Sequence, residues 1–226
     1  RATLLPEYIR FLQSDVLDFN TEEVKFMTGI VEKMYKTVGS VNNAILPDTL
    51  KLIKTKGRHY GDGVWYTREN CIIIPMNELA SRKTNPFTST MYHELFHVYS
   101  RLNPEKSARL YKLIGFEAIG YENLKMPATL SERAFYNPDG VDFAQKISLA
   151  QEDKTTITAI PIIYGNNLGY KPGNNEFFGY LEFNLFPVEK QADGKWMVKV
   201  KEDGFSSPLH MESQPDFFSQ IKDNTG

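Results

Sequence analysis

Apolar residues recur at helical spacing near the start of the chain. In the segment Glu22 to Val38 they follow steps of three and four residues, which places one set on an inner face: Val24, Met27, Ile30, Val31 and Met34. Asn20 or Thr21 can cap this helix, because both side chains accept hydrogen bonds from the first turn. Gly39 follows the last apolar position and predicts the helix end.

A second helix is predicted between residues 88 and 101. Pro86 disfavours an earlier start, so Thr88 or Ser89 is the expected N-cap, and Asn103-Pro104 ends the segment. Two apolar stripes cover most of its circumference, one formed by Met91, Leu95 and Val98 and the other by Tyr92, Phe96 and Tyr99. A helix that is apolar on most sides is expected to be buried.

Strands are predicted on both sides of this helix. Alternating or short apolar runs occupy residues 49–56, 64–67 and 71–75 before it, and 155–164, 177–186 and 195–201 after it. Asp193-Gly194 predicts a hairpin turn between the last two. The order predicts an α+β protein with helices and a small mixed sheet in residues 1–127 and a β-rich lobe or insertion in 128–226.

Composition narrows the functional classes. The chain has 226 residues, 41% hydrophobic and 24% charged, which is ordinary for a soluble globular protein. A net charge of −2 without a long basic stripe argues against nucleic acid as a partner. No apolar run approaches the roughly 18 residues of a membrane span. The single cysteine, Cys71, excludes an intramolecular disulfide and a cysteine-based zinc site. The start at Arg1 without methionine favours a secreted or periplasmic mature form.

The helix predicted over residues 88–101 carries His93-Glu94-Leu95-Phe96-His97, an H-E-x-x-H motif. Two histidines four residues apart project from the same face, so both imidazoles can bind one zinc ion. The intervening glutamate then lies beside the water that zinc activates and can act as general base. Leaving a buried polar group unpaired costs about 1–3 kcal/mol. The pattern therefore predicts a Zn²⁺ site rather than three core residues.

The motif followed by a glutamate at Glu117 resembles the gluzincin metallopeptidases, the thermolysin-like group, from Thr88 to Glu117. The resemblance implies a zincin-like catalytic part, zinc held by His93, His97 and Glu117, and Glu94 as general base. It also implies hydrolysis of a peptide or protein substrate. Gluzincins often use a downstream His or Tyr to stabilise the oxyanion, and His210 is the first choice here. Tyr121 stands where such families commonly carry an aspartate.

Several alternatives stay open at this point. Other residues could be the third zinc ligand in place of Glu117. They are a glutamate beyond Gly226 and five residues of the chain: Glu122, Glu132, Asp139, Asp142 and His210. Tyr164, Tyr170 and Arg133 are further oxyanion donors. The rival function is a non-catalytic zinc-binding module, or a partner- or glycan-binding module, on a zincin fold. A metal-free scaffold with two core histidines is the third hypothesis.

Overall fold

The computed structural model describes residues 4–81, 83–137, 140–151, 153–166, 177–202 and 204–209. By its internal contacts the chain divides into two compact units, Arg1–Pro104 and Glu105–Gly226. The sequence predicts the division near residue 127. The structure divides the chain earlier because the short strands that follow residue 115 pair with strands of the second unit. Both units combine helix and strand, so the α+β class is confirmed.

The first unit is built from helices around a small sheet. Its helices are α1 Leu5–Asp15, α2 Thr21–Asn42, α3 Met76–Ser81 and α4 Thr84–Leu102, and its strands are β1 Val16–Leu17, β2 Lys51–Thr55, β3 Tyr66–Arg68 and β4 Cys71–Pro75. The strand order is β1-β2-β4-β3. β2 and β4 are parallel and the two outer pairs are antiparallel, so this sheet is mixed, as the sequence predicts.

The core of the first unit forms where α2 and α4 cover this sheet. Spacing of three and four residues places Met27, Ile30 and Met34 of α2 on its buried face. Ile72 and Ile74 of β4 alternate with Ile73 and are fully buried in the same cluster. Val24, predicted for the inner face of α2, is half exposed. One apolar core therefore fixes α4 against the sheet.

The sequence predicts one end of helix α2 correctly and the other end wrongly. The Asn20 side chain accepts a hydrogen bond from the Glu23 backbone at 2.9 Å, and the Glu23 carboxylate accepts one from the Asn20 backbone at 2.9 Å. This capping box confirms Asn20 as the N-cap. The predicted end at Gly39 is wrong, since the helix continues to Asn42. Glycine ends a helix most effectively when it turns left-handed, and Gly39 does not have a positive φ.

The second unit is β-rich. Helices α5 Pro104–Leu113 and α6 Ala128–Ser131 accompany strands β5 Phe116–Ala118, β6 Leu124–Lys125, β7 Ala134–Phe135, β8 Gln145–Ala150, β9 Thr156–Gly165, β10 Leu181–Lys190 and β11 Trp196–Val198. These strands form a seven-stranded sheet in the order β5-β8-β9-β10-β11-β6, and β7 pairs with β9. All pairs are antiparallel except β11 with β6.

Two apolar clusters stabilise this sheet. One contains Phe116, Ile147 and Leu149, and the other contains Ile160, Ile162 and Phe186. The predicted hairpin at Asp193-Gly194 connects β10 to β11, and Gly194 has the positive φ of 83° that this turn requires. The strand predicted over residues 177–186 starts later than expected, because Phe177–Tyr180 form a 3-10 turn before β10. Across the described residues, no helix has the length and apolar composition that a membrane crossing requires.

Candidate metal centre

Helix α4 carries the predicted zinc motif, and its bounds differ from the prediction at one end. It begins at Thr84, with Lys83 as N-cap, so the predicted start at Thr88 or Ser89 is wrong. Pro86 is the third residue of the helix. The first four backbone N–H groups of a helix have no partner within it, so a proline here removes no hydrogen bond. The predicted stop is confirmed: Asn103 is the C-cap and its side-chain amide donates to the Tyr99 carbonyl at 3.0 Å.

The two apolar stripes of α4 have different environments. Met91, Leu95 and Val98 are buried, as predicted, and pack in the core of the first unit. The second stripe is only partly covered, since the Phe96 side chain is 39% exposed. The helix is therefore buried on one side and accessible on another. A substrate or ion can reach a side chain only if part of the helix faces solvent, and α4 meets that condition.

The motif residues lie where the buried and accessible sides of α4 meet. His93 is exposed, whereas Glu94 and His97 are buried. The Nε2 atoms of His93 and His97 are 2.8 Å apart, and the two rings stand at 87° to each other. One ligand atom from each histidine and from Glu94 falls within 4.8 Å of the others. Among the described residues, these three form the group of His, Cys, Asp or Glu side chains whose ligand atoms lie close enough together to hold a metal ion.

The donor set fits zinc. Neutral imidazole nitrogen is a preferred zinc ligand, and Nε2 atoms from both rings point to one region of space. In tetrahedral zinc sites with Zn–N distances of ~2.0–2.1 Å, two ligand nitrogens are roughly 3.3 Å apart. Small rotations of the exposed His93 ring can open the 2.8 Å separation to that value. One side of the pair is accessible, which suits a site with an open coordination position.

Glu117, the predicted third ligand, lies on strand β5 of the second unit. It is not on a later helix, because α5 ends at Leu113 and Gly115 has a φ of 92°. Its side chain is 56% exposed and forms an ion pair with Lys146 on β8. The hydrogen bond from Lys146 and its positive charge hold the pKa of Glu117 below its usual range. The role of Glu117 as third ligand stays a prediction.

The rival ligands have varied surroundings. Asp142 is buried, accepts a hydrogen bond from the Tyr121 hydroxyl and another from the Ala144 backbone, and burial raises its pKa. Tyr121, which stands where gluzincins commonly carry an aspartate, therefore has Asp142 as a structural partner. Glu122 and Glu132 are exposed residues of the second unit. His210 and Asp139 lie outside the described residues, so both remain predictions.

Of the remaining oxyanion candidates, Tyr170 lies outside the described residues, and Tyr164 and Arg133 have the following contacts. The Tyr164 hydroxyl donates to Glu182 at 2.6 Å and accepts from the Asn184 amide at 3.0 Å. Burial raises the pKa of this phenol, with a contribution from its hydrogen bond to Glu182. The Arg133 guanidinium carbon lies 5.6 Å from the centroid of the Tyr164 ring. These contacts place Tyr164 in a structural network of the second unit.

Sequence reasoning missed a residue pair that links α4 to the sheet. Arg101 donates a hydrogen bond of 2.6 Å to the side-chain oxygen of Thr67 on β3. The available signal is that Arg101 lies four residues after His97 and seven after Glu94, which places it on the same side of the helix. The partner Thr67 could not be inferred from this spacing.

Comparison with known proteins adds no family: no protein-family model, curated protein or solved structure matches the chain.

Proposed function

We propose that this protein is a zinc-dependent peptide-bond hydrolase in which His93 and His97 hold the metal and Glu94 is the general base. The observation that carries the proposal is the convergence of two imidazole nitrogens, 2.8 Å apart, beside a buried carboxylate on one helix. Bound zinc would supply Lewis-acid activation of water and of the scissile carbonyl. Zincin-like architecture for the first unit is part of the same proposal.

The residues of this chain have distinct roles in that reaction. Glu94 takes a proton from the attacking water and passes it to the leaving amine as the C–N bond breaks. Its position one residue after His93 and three before His97 keeps the carboxylate beside the two imidazoles. Glu117 as third ligand and His210 as oxyanion donor complete the proposal.

The mixed sheet beside α4 offers a place for the substrate. β3 is at the edge of the first unit's sheet, where it pairs antiparallel with β4. An extended peptide can add to such an edge through backbone hydrogen bonds, which suits a hydrolase that acts on many sequences. A peptide or protein is therefore the proposed substrate class.

The deciding experiment uses protein purified without an affinity tag and a peptide library analysed by mass spectrometry. Wild type is expected to hold one zinc per chain and to cleave peptides. Glu94→Gln should keep the zinc and lose about 10²–10⁴-fold in rate, because the base is gone while both imidazoles remain. His93→Ala and His97→Ala should lose the metal.

The matched control is Glu105→Gln, an exposed glutamate of α5 that should behave as wild type. Normal cleavage by Glu94→Gln would refute its role as base. Stoichiometric zinc without cleavage of any peptide would favour the non-catalytic binding module. Absence of zinc from wild type under metal-replete conditions would favour the metal-free scaffold.

A further inference from the structure

Arg101 connects the C-terminal end of α4 to the edge strand of the first unit. Its guanidinium donates to Thr67 Oγ1 at 2.6 Å and to the Glu69 carbonyl at 3.0 Å. Thr67 is the central residue of β3 and is fully buried. Glu69 lies in the turn between β3 and β4 and has a φ of 50°. One side chain of the helix therefore contacts both the edge strand and the turn that ends it.

The contact lies on the side of α4 that carries the proposed chemistry. Glu94, His97 and Arg101 follow each other at steps of three and four residues, so their side chains form one row along the helix. At about 1.5 Å per residue, Arg101 lies roughly 6 Å along the axis from His97. The hydrogen bonds of Arg101 therefore connect β3 to the helix close to this row.

A second contact holds the other end of the same strand. Trp65, immediately before β3, packs against Phe87 near the start of α4 with ring centroids 4.8 Å apart. β3 also keeps its register with β4, in which Tyr66 pairs with Ile73. These contacts remain when Arg101 is removed. Loss of Arg101 should therefore allow β3 to change its orientation relative to α4 without unfolding the unit.

We propose that Arg101 is a positioning residue of the hydrolase. It holds edge strand β3 beside the row of Glu94 and His97, so that an extended peptide pairing with β3 presents its scissile bond to the site. This inference rests on the proposed function and assigns a role in substrate placement to a residue outside the zinc motif.

The test is a kinetic comparison with a peptide that wild type cleaves. Arg101→Ala should raise KM about tenfold while kcat changes by less than about threefold and zinc content stays at one per chain, because a charge-assisted hydrogen bond to the strand is lost. Thr67→Val, which removes the acceptor hydroxyl, should also raise KM but by less, because Arg101 still donates to the Glu69 carbonyl. The double variant should be no worse than Arg101→Ala alone, since Arg101→Ala already removes the contact with Thr67. Thr67→Ser, which retains the hydroxyl, should restore the wild-type KM.

A readout independent of turnover accompanies the kinetics. Amide hydrogen exchange in residues 65–68 should accelerate in Arg101→Ala, whereas exchange in β2 should not. The same peptide should bind Glu94→Gln about tenfold more tightly than it binds the Glu94→Gln/Arg101→Ala double variant. Arg10→Ala, which removes an exposed arginine of α1, is the matched control and should leave all values unchanged.

The outcomes separate this inference from the function on which it rests. If zinc-loaded wild type cleaves no peptide, the proposed function fails. If wild type cleaves but Arg101→Ala has an unaltered KM, or if the variant loses zinc, then Arg101 has no positioning role and the hydrolase proposal stands. An unchanged exchange rate in residues 65–68 would likewise overturn the role of Arg101.

Discussion

His93 and His97 present their Nε2 atoms 2.8 Å apart, at hydrogen-bond distance and shorter than the separation of two zinc-bound imidazoles. At this distance one Nε2 carries a proton and the other accepts it, because two unprotonated nitrogens would repel each other. In the proposed metal site, zinc would replace that shared proton as the common partner of the pair. The two rings are therefore oriented towards one point, as a shared metal ion requires.

Zinc should stabilise the first unit. Because the ion binds the folded pair and not the dispersed histidines of the unfolded chain, a free zinc concentration one hundred times the dissociation constant should add about 2.7 kcal/mol to the free energy of unfolding. Thermal or urea unfolding with buffered zinc and with chelator measures the effect. His59→Ala is the histidine control and should retain the zinc response. An equal response in His93→Ala would mean that the ion binds elsewhere.

Those elements that depend on local patterns could be predicted from the sequence. β2 and β4 are recognisable from residues 49–56 and 71–75, and α4 ends at Asn103-Pro104 because proline disfavours helix in the residue before it. The proximity of His93 to His97 follows from helix geometry alone. These features require neither a distant partner nor a known relative.

The missed features depend on distant residues. β8 and the three-residue β5 are strands because they pair with each other across an intervening segment, and this pairing puts Glu117 opposite Lys146. Their sequences are too short or too polar to predict this. Similarly, Arg101 could be placed on a helix face but its partner Thr67 could not, because tertiary packing brings β3 to α4. The predicted start of α4 is wrong for a local reason, because proline is compatible with the first turn of a helix.

A buried ion pair joins helix α2 to strand β2 in the first unit. Lys54 Nζ of β2 lies 2.7 Å from a carboxylate oxygen of Glu23, which also caps α2. Lys54→Met should lower the free energy of unfolding by about 3–5 kcal/mol, because it leaves a carboxylate charge buried without its cation. Urea unfolding measures this loss. Glu22→Gln, at an exposed neighbouring position, should change stability by less than about 0.5 kcal/mol. A similarly small change in Lys54→Met would contradict the assignment.

His59 should make stability dependent on pH. Its Nε2 lies 2.7 Å from the Tyr8 hydroxyl, and its ring stacks on Tyr60 with centroids 3.9 Å apart. Burial and then the charge of Arg68 lower the pKa of His59, against a smaller opposing effect of Asp15. Between the lowered folded pKa and the unfolded value near ~6.5, the unfolded chain binds more protons. The free energy of unfolding should therefore fall as pH decreases through this window and should be independent of His59 at higher pH.

The measurement is urea unfolding between about pH 5 and pH 8 in the presence of chelator, for wild type and His59→Gln. His93 and His97 are present in both proteins, so the difference between the two slopes reports His59. The wild type should lose more stability than the variant as the pH falls. Identical slopes would mean that His59 titrates equally in the folded and unfolded chain.

Glu117→Gln tests the predicted third ligand. If Glu117 coordinates zinc, removal of its charge should weaken binding at least about tenfold, measured by competition with a chromogenic chelator. Lys146→Met is the matched control, because it removes the ion-pair partner of Glu117 and leaves the carboxylate available for metal. That variant should bind zinc as tightly as wild type or more tightly. If Glu117→Gln binds zinc with wild-type affinity, the third ligand is another residue. The same competition measurement on Asp142→Asn and His210→Ala would then test these two alternative ligands.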